Sequence, residues 1–423
     1  MYSSPEEHNK IQTSRLREII THAYETVPYY HKVFNALGLK PADIRTKEDL
    51  HQLPKITKAD LRKDTESFIS RTADLSHCAR IRTSGTTGIP SSIYYDKDAM
   101  LTHLLISLRW NSLFWSYTSR LRTRRAYLVV SDSVSTVTNN YYKKTLPFLD
   151  FFQDLKFFSV LEPISQIVEA LNKFKPHVIL SYGSYLELLM RHILGERGAD
   201  VKFNPRVVAF TAEALNSKAR KLIEDTFDCP IFGLYGAGEA LGIGFECELH
   251  KGYHMCVDAY PMDVIDENGD PVGEDESGEI VISNLTNRAM VILNYQLGDR
   301  VKMGGNDCSC GCRLPMIKEI EGRTNDIIIL KDKLVSELIP SIFREKEYVY
   351  QFQVIQEDLH NLRVRVVPSQ EWTQVFDAEV KKDFRAIVGD DISVTIEPVK
   401  EIPRTPNGKI KLVISHVLSN LPS

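Results

Sequence analysis

Short apolar runs alternate with amphipathic helical patterns through the middle of this chain. The runs RAYLVVS, HVILSYG, RVVAFTAEAL and CPIFGLYG contain glycine or small polar residues at or near their ends, and the helical patterns ISQIVEALNKF and SKARKLIEDTF lie between them. Strand, short loop and helix in repeated order are typical of a parallel sheet covered by helices. Ligands bind at the carboxyl ends of such strands, so we expect a binding site at these loops.

Other patterns flank this region. Helical spacing in RLREIITHAYETVPYYHKVFNALGL is interrupted at Pro28, and DIRTKEDLHQLPKITKADLRKD predicts short helices separated by prolines. The segment GYHMCVDAYPMDVIDENGDPVGEDESGEIVISNL alternates and contains an Asn-Gly turn, which predicts antiparallel hairpins. Further on, the strand patterns YQFQVIQ, NLRVRVVP and SVTIEPV and the helical pattern AEVKKDFRAIV predict a small α+β unit.

These patterns predict an α/β fold with two domains. A chain of 423 residues is longer than one core usually organises, which favours the same division. We expect a large N-terminal α/β domain with mixed sheets over residues 1–325. We expect a small C-terminal α+β domain over residues 326–423, with the boundary near Asn325.

Composition narrows the classes of function and partner. Lys plus Arg is 52 and Asp plus Glu is 56, so the net charge of −4 disfavours a nucleic-acid partner, which needs a basic field. No apolar run approaches the roughly 18 residues that span a bilayer, and MYSSPEEHNKIQ lacks the apolar segment of a signal peptide. We therefore expect a cytoplasmic protein without a membrane partner. In that compartment, seven cysteines favour metal binding over disulfides.

Residues 82–90, RTSGTTGIP, form the strongest candidate for a phosphate-binding loop. Glycines let the backbone approach a phosphate closely, and backbone N–H groups and hydroxyls donate hydrogen bonds to its oxygens. An ordinary turn of small residues is the alternative, and the segment is not a Walker A loop because no Gly-Lys-Ser/Thr follows. The residues of this candidate loop are Ser84, Gly85, Thr86, Thr87 and Gly88.

Four more segments follow in a fixed order: FGLYGAGEA, YQLGDR, IEGRTNDIII and IPRTPNGKIKL. They present Tyr235, Gly236, Glu239, Asp299, Arg323 and Lys409. Together with the candidate loop they resemble the adenylate-forming superfamily of acyl- and aryl-CoA ligases, adenylation domains and luciferases. The segments VPYYHKVF and EDLHQLPKITKADLR and a Cys-x-Cys-Gly motif narrow the resemblance to the phenylacetate–CoA ligase branch, which includes capsule-polysaccharide-associated homologues.

The resemblance implies an ATP site. The Ser84–Gly88 loop would hold the phosphates, Asp299 would accept hydrogen bonds from the ribose hydroxyls, and Arg323 would reach the ribose or phosphates. Tyr235 would stack on the adenine. The other residues implied to line the nucleotide pocket are Glu213, Ala214, Gly236 and Ala237.

The resemblance also implies the chemistry. Glu239, with Thr86 as a second contact, would hold Mg²⁺, a hard cation suited to a carboxylate plus phosphate oxygens. Lys409 would touch both the substrate carboxylate and the α-phosphate, which reduces their repulsion during adenylate formation. The mobile C-terminal domain would then swing away on a hinge near Asn325–Asp326. These roles describe a Mg-ATP-dependent carboxylic acid ligase that forms an acyl or aryl adenylate and then a CoA thioester.

Two departures from the family pattern keep an alternative open. Ile89 stands where the family loop commonly has lysine. Asp332 stands where we align a family glycine, in a segment that lines the tunnel for the CoA thiol in that family. Asp332 favours an enzyme that hands the acyl group to an amine or a carrier protein instead of CoA. A non-catalytic nucleotide-binding protein is disfavoured because it would not need Lys409. The sequence leaves open whether the chain forms a homodimer.

The predicted acid pocket borders the end of the 181–185 strand, the 235–242 loop and Phe210. These residues are small or aromatic, which suits an aryl or short acyl group. No charged residue in these segments clearly marks an amino-acid or dicarboxylate substrate.

The cysteines cluster with histidines in FECELHKGYHM and DCSCGCRLP. Two thiolates from a Cys-x-Cys turn, with a cysteine and a histidine from a second hairpin, fit a closed tetrahedral zinc site. The resemblance favours Cys247, His254, Cys308 and Cys310 as ligands of this structural zinc. His250 is an alternative ligand, Cys312 is a spare, and reduced thiols without metal are the alternative to zinc.

Overall fold

The structure is a computed structural model, and it describes most of the chain. The described residues are 1, 3–83, 91–120, 122–194, 200–215, 217–305, 308–323, 328–329, 334–335, 342–343, 346, 348–404 and 410–417. The Ser84–Gly88 loop, Ile89, Asp332, Lys409 and the hinge predicted at Asn325–Asp326 lie outside these ranges.

Helices occur along the whole described chain. They are α1 (Pro5–Thr26), α2 (Pro28–Leu37), α3 (Lys58–Lys63), α4 (Lys97–Thr118), α5 (Val134–Thr145), α6 (Ile164–Phe174), α7 (Gly183–Leu194), α8 (Ser217–Phe227) and α9 (Gln374–Val388), with 3-10 helices at Pro41–Asp43, Lys47–Gln52, Thr65–Phe68, Leu75–His77 and Pro147–Phe151. A capping box begins α1, because Ser4 and Glu7 each accept a hydrogen bond from the other's backbone N–H. Pro28 begins α2, as the sequence predicts. Within the described ranges, no helix is long and apolar enough to cross a bilayer.

Strands in the described chain form one large sheet and three smaller ones. They are β1 (Ala79–Thr83), β2 (Ser91–Tyr95), β3 (Thr123–Leu128), β4 (Gln153–Phe158), β5 (Val178–Tyr182), β6 (Val207–Thr211), β7 (Ile231–Tyr235), β8 (Gly244–Glu246), β9 (Tyr253–Met255), β10 (Met262–Ile265), β11 (Ser277–Ile282), β12 (Tyr295–Met303), β13 (Met316–Arg323), β14 (Ile328–Ile329), β15 (Leu334–Val335), β16 (Val349–Gln356), β17 (Asn361–Pro368), β18 (Ser393–Pro398) and β19 (Val413–Ser415).

The large sheet is mixed, with the spatial order β10-β11-β12-β13-β9-β8-β7-β6-β5-β3-β4. The strands β4, β3, β5, β6 and β7 pair in parallel, and the pairs from β7 to β10 are antiparallel. All five residues of β5 are buried, as expected for a strand covered by helices on both faces. The parallel strands β5, β6 and β7 therefore bring their carboxyl ends to one edge of the sheet.

A buried ion pair fixes α4 against the antiparallel part of the chain. Arg109 on α4 donates two hydrogen bonds to the carboxylate of Asp258, at 2.9 and 2.8 Å. Arg15 on α1 lies 3.6 Å from the same carboxylate and donates to the Asp258 carbonyl at 2.8 Å. This pair ties α1 and α4 to the segment that follows β9.

The C-terminal part has its own sheet and core. The sheet order is β18-β17-β16-β19, and α9 contributes the buried residues Val380, Phe384 and Val388. Its main buried cluster contains residues between Ile328 and Val413, whereas the large cluster contains residues between Leu16 and Ile317. The predicted fold class, a large α/β part and a small α+β domain, is confirmed. The boundary at Asn325 stays a prediction.

Candidate functional site

A cleft of about 2240 Å³ lies at the carboxyl ends of the parallel strands. Its walls include the ends of β5, β6 and β7 and the loops that follow them. Residues of the C-terminal domain, among them Gln351 and Ile410, close another side. The cleft therefore lies at the sheet edge that the sequence predicts and between the two parts of the chain.

Tyr235 and Asp299 meet in the wall of this cleft. Tyr235 ends β7, and its hydroxyl donates a 2.8 Å hydrogen bond to Oδ2 of Asp299 on β12. The β12–β13 register places the backbone of Arg323 opposite Asp299. Tyr235 thus orients a buried carboxylate. The structure brings positions 235, 299 and 323 together, although 88 residues of sequence separate the first from the last.

Glu239 lines the cleft, and one of its carboxylate oxygens accepts a hydrogen bond. The Tyr295 hydroxyl donates to its Oε1 at 2.9 Å, and Asn284 donates to its backbone carbonyl at 3.0 Å. No donor in the described part of the chain contacts Oε2. A fixed carboxylate with one oxygen available fits the donor set of Mg²⁺, which takes one or two carboxylates together with phosphate oxygens.

The candidate phosphate loop connects the antiparallel strands β1 and β2. The Tyr95 hydroxyl at the end of β2 donates to the Gly238 carbonyl at 2.9 Å, which joins this hairpin to the loop that carries Glu239. The same loop makes a close turn at Gly236, where a Cβ atom would lie 2.5 Å from the Leu241 carbonyl oxygen. Glycine is required there because any side chain would collide with that backbone. The loop places Ala237 on the cleft wall.

Glu213 and Ser184 form a contact between the two parts of the chain. The Ser184 hydroxyl donates to Glu213, and the Ile410 N–H donates to Oε1 of Glu213 at 3.0 Å. Arg404 donates to the Ser184 hydroxyl at 2.8 Å and to its carbonyl at 3.0 Å, and Gln351 donates to that carbonyl at 3.1 Å. Glu213 and Ala214 line the cleft, as predicted, but Glu213 also holds the residue that follows Lys409.

The other end of the cleft borders α4. A Cβ atom at Gly242 would lie 3.0 Å from the ring of Trp110 and 3.5 Å from Cδ2 of His103. Burial lowers the pKa of His103 to about 4, so its imidazole is neutral at pH 7. Tyr142 donates its hydroxyl proton to the Met100 carbonyl, so Nδ1 of His103 must donate to Tyr142. The lone pair on Nε2 of His103 then has no partner in the described residues.

Four predicted metal ligands converge beside the large sheet. The ligand atoms of Cys247, His254, Cys308 and Cys310 all lie within 4.8 Å of one another. The sulfurs of Cys247 and Cys308 are 3.8 Å apart, and the Cys310 sulfur is 3.4 Å from Nε2 of His254. A tetrahedral zinc ion with ordinary bond lengths places two sulfurs about 3.8 Å apart and a sulfur and a nitrogen about 3.5 Å apart. The donor set and its spacing therefore fit zinc.

The surroundings of this cluster suit a metal centre. Nδ1 of His254 lies 3.2 Å from the Leu314 carbonyl, which holds its proton and leaves Nε2 as the ligand atom. The alternative ligand His250 lies elsewhere, 3.2 Å from Arg220 and 3.5 Å from Glu246. Cys312 is buried outside the group of four, and its N–H donates to the Cys310 sulfur at 3.3 Å.

Comparisons with known proteins match both parts of the chain. The family "AMP-binding enzyme" matches residues 155–288, and the family "CapK C-terminal domain" matches residues 328–416. These matches support a similarity of the chain to the adenylate-forming enzymes, in their phenylacetate–CoA ligase-like branch. The family resemblance inferred from the motifs is confirmed.

Relatives in this branch match over nearly their full length. The phenylacetate–coenzyme A ligase of Thermus thermophilus is 24% identical, over 96% of this chain and 95% of that protein. The protein CapK of Staphylococcus aureus is 23% identical, over 96% of this chain and 89% of that protein.

A crystal structure of 2-hydroxyisobutyryl-CoA ligase shows the same fold. In its postadenylation state the TM-score is 0.80 at 18% identity, over 98% of this chain and 90% of that chain. In its thioesterification state the TM-score is 0.66. The arrangement of this chain is therefore more similar to the postadenylation state.

Several residues of the cleft carry no motif signal in the sequence. Arg404 lies in the Lys409 motif, but nothing in that motif indicates its contact with Ser184. His103 and Arg125 lie in ordinary helical and strand patterns, and only the packing of α4 against the sheet brings them to the cleft. The remaining predicted residues, the Ser84–Gly88 loop and Lys409, are outside the described residues.

Proposed function

We propose that this chain is a Mg-ATP-dependent carboxylic acid ligase that forms an acyl or aryl adenylate and then a CoA thioester. The observation that carries the proposal is the convergence of Tyr235, Asp299 and Glu239 on one cleft that the C-terminal domain closes. Similarity to phenylacetate–CoA ligases supports both half-reactions, as predicted from the sequence.

Each end of the cleft suits one substrate. Asp299 is buried, is oriented by Tyr235, and suits the ribose hydroxyls of ATP. Glu239 would hold Mg²⁺, which neutralises phosphate charge during adenylate formation. The Gly242 end, bounded by Trp110 and His103, suits the acid because it is enclosed and mostly apolar. The proposal also includes Thr86 as a second Mg²⁺ contact and Arg323 as a nucleotide contact.

Lys409 provides the test of the first half-reaction. Two anions must meet during adenylate formation, so a lysine between them lowers the barrier by electrostatic stabilisation. We expect Lys409→Ala to slow acid-dependent pyrophosphate release on the order of a hundredfold to a thousandfold. ATP binding should change little. Lys143→Ala, on α5, is the matched control, and near wild-type release by Lys409→Ala would contradict this role.

The acceptor is tested separately. An acyl-CoA product should accumulate when CoA is added to the preformed adenylate, and free AMP should appear in equal amount. An amine or carrier-protein acceptor remains the alternative, since Asp332 departs from the family pattern. Discharge of the adenylate by an amine, with no effect of CoA, would replace the thioester step with amide formation.

A structural zinc ion is the second part of the proposal. The sulfur–sulfur and sulfur–nitrogen spacings in the group Cys247, His254, Cys308 and Cys310 support it. Four protein ligands leave no position for substrate, so the ion would stabilise the fold. It would join the hairpin of β8 and β9 to the turn that precedes β13.

The third part of the proposal is a two-domain organisation with a mobile connection. The separate buried clusters below and above residue 325 support units 1–325 and 326–423. The hydrogen bonds that Arg404, Gln351 and Ile410 make with Ser184 and Glu213 would hold the adenylate-forming arrangement. Release of these bonds would let the small domain turn for the second half-reaction.

A further inference from the structure

Arg125 is a buried cation in the wall of the cleft. It lies on β3, its exposed fraction is 5%, and it lines the cleft together with His103, Trp110 and Asn111 of α4. Its Nε–H donates to the Thr123 hydroxyl at 3.1 Å, and its NH1 group donates to Oδ1 of Asn111 at 2.5 Å. Both partners are neutral, so these bonds fix the guanidinium without neutralising its charge.

No carboxylate in the described ranges lies within ion-pair distance of Arg125. Arg109, a half-buried residue of α4, differs in this respect because it donates two hydrogen bonds to the carboxylate of Asp258. A buried cation without a counter-charge is unfavourable, since burial removes the water that would otherwise solvate it. Of the five guanidinium N–H donors, two are used, and three remain for a ligand.

We propose that Arg125 binds a second anionic group of the acid substrate, at the end of the molecule opposite the carboxyl group that is activated. The ligand class is a carboxylic acid that carries a further carboxylate or phosphate-like group. This inference rests on the proposed function, and it replaces the expectation of a purely apolar acid pocket. Arginine suits this role because its planar donors bind such groups with two parallel hydrogen bonds.

The place where Arg125 meets α4, at Asn111, sets the length of the substrate. Gly242 packs against α4 between His103 and Trp110, and Asn111 holds Arg125 just beyond. At about 1.5 Å per residue, this point is about 7 Å further along the helix than the middle of the Gly242 contact. Arg125 therefore lies beyond the Gly242 contact, which leaves room for a spacer of several bonds between the two acidic groups.

Matched pairs of acids test the proposal. Dicarboxylic acids of three to ten carbons, and the corresponding phosphonocarboxylic acids, are each compared with the analogue whose distal group is a neutral carboxamide. We expect at least one charged acid to release pyrophosphate with kcat/KM about tenfold above its carboxamide, mainly through KM. The two series distinguish a carboxylate from a phosphate-like group. Equal rates for the charged and neutral partners of every pair would overturn the proposal.

Substitutions of Arg125 test whether this residue causes the preference for charged acids. Arg125→Gln should lower kcat/KM for the preferred charged acid about a hundredfold and change that of its carboxamide less than threefold. Arg125→Lys should recover part of the preference. Arg122→Gln, an exposed arginine three residues earlier, is the control. An equal loss for both acids of a pair would mean that Arg125 only supports the fold.

Asn111→Asp is a second variant that keeps the guanidinium. It puts a carboxylate against Arg125 and removes only the hydrogen bonds that the Asn111 amide donates to the carbonyl and hydroxyl of Ser107, at 2.8 and 3.4 Å. The internal ion pair should abolish the preference for charged acids while the protein remains folded. Retention of the full preference in Asn111→Asp would contradict an anion site at Arg125.

A binding measurement separates this inference from the proposed function. The thermal midpoint of the wild-type protein is measured with the dicarboxylic and phosphonocarboxylic acids alone, without ATP or CoA. We expect an upward shift with the preferred acid and no shift with Arg125→Gln. If the shift occurs but no acid releases pyrophosphate, the ligase function fails and the anion site stands. If pyrophosphate is released but only neutral acids bind, the anion site fails and the ligase function stands.

Discussion

Glu213 Oε1 accepts a hydrogen bond of 3.0 Å from the backbone N–H of Ile410, the residue that follows Lys409. The bond crosses from the large sheet to the C-terminal domain. It fixes the backbone next to the lysine proposed for adenylate formation, while Ser184 holds the other oxygen of Glu213. If Lys409 acts as proposed, Glu213 would position it through Ile410, in addition to lining the cleft.

The first prediction concerns Glu213→Ala. Loss of a hydrogen bond to a charged group costs about 1.5–3 kcal/mol, which corresponds to a rate reduction of roughly ten- to 150-fold. We expect this reduction in acid-dependent pyrophosphate release. Transfer from a synthetic adenylate to CoA should fall much less, because the Glu213 contact belongs to the arrangement that is similar to the postadenylation state.

A control variant makes this test specific. Glu169→Gln removes an exposed carboxylate on α6 that pairs only with Lys173 at the surface, and it should leave both half-reactions unchanged. Equal losses in the two half-reactions of Glu213→Ala would show that Glu213 supports the fold and does not position the lysine.

Much of this architecture could be predicted from the sequence because it depends on local patterns. The parallel strands are short apolar runs, and the four cysteine and histidine ligands lie in two compact segments whose spacing is chemically restrictive. Arg125 could not be predicted in the same way. Its position in a strand pattern gives no sign of whether a carboxylate will face it, since that depends on the packing of α4. The contact of Arg404 with Ser184 likewise depends on how two domains meet.

The second prediction concerns Tyr235→Phe. The change removes the hydroxyl that donates to Asp299 at 2.8 Å and retains the aromatic ring beside the nucleotide site. Loss of this bond, about 1 kcal/mol or somewhat more, should raise KM for ATP roughly fivefold to tenfold with little effect on KM for the acid. Steady-state pyrophosphate release at varied ATP concentration measures the change. Tyr117→Phe, on the exposed side of α4, is the control. An unchanged KM for ATP in Tyr235→Phe would mean that Tyr235 does not orient Asp299 for ATP binding.

The third prediction concerns zinc. Purified protein should contain about one equivalent of tightly held zinc, measured by elemental analysis without exposure to chelators. Cys308→Ser should lower both the zinc content and the thermal midpoint, because the ion joins segments that are 61 residues apart. Cys78→Ser, which changes a half-buried thiol outside the cluster, should retain the zinc. Zinc-free purified protein, with an unchanged midpoint in Cys308→Ser, would mean that the three cysteines are reduced thiols beside His254.

The last prediction concerns Asp258 and pH. Burial alone would raise the pKa of Asp258, but the hydrogen bonds and charge of Arg109 outweigh burial, so the pKa lies below its ordinary value. A lowered pKa in the folded state stabilises the protein above the unfolded value of about 3.9, and this contribution is lost as the pH falls. Asp258→Asn also leaves the half-buried Arg109 without its counter-charge, which should reduce the free energy of unfolding by about 3 kcal/mol at pH 7.

Urea denaturation of wild type and Asp258→Asn between pH 7 and pH 3 measures this dependence. The difference between the two proteins should be constant from pH 7 to about pH 5 and should shrink as the pH falls below about 4. Comparing the two proteins at each pH cancels the contributions of the other carboxylates, which titrate alike in both. Asp263→Asn is the control, since Asp263 forms a more exposed pair with Lys47 at 3.0 Å. A difference that does not change with pH would mean that Asp258 stabilises the contact between α1, α4 and the β9 segment by packing and not by its charge.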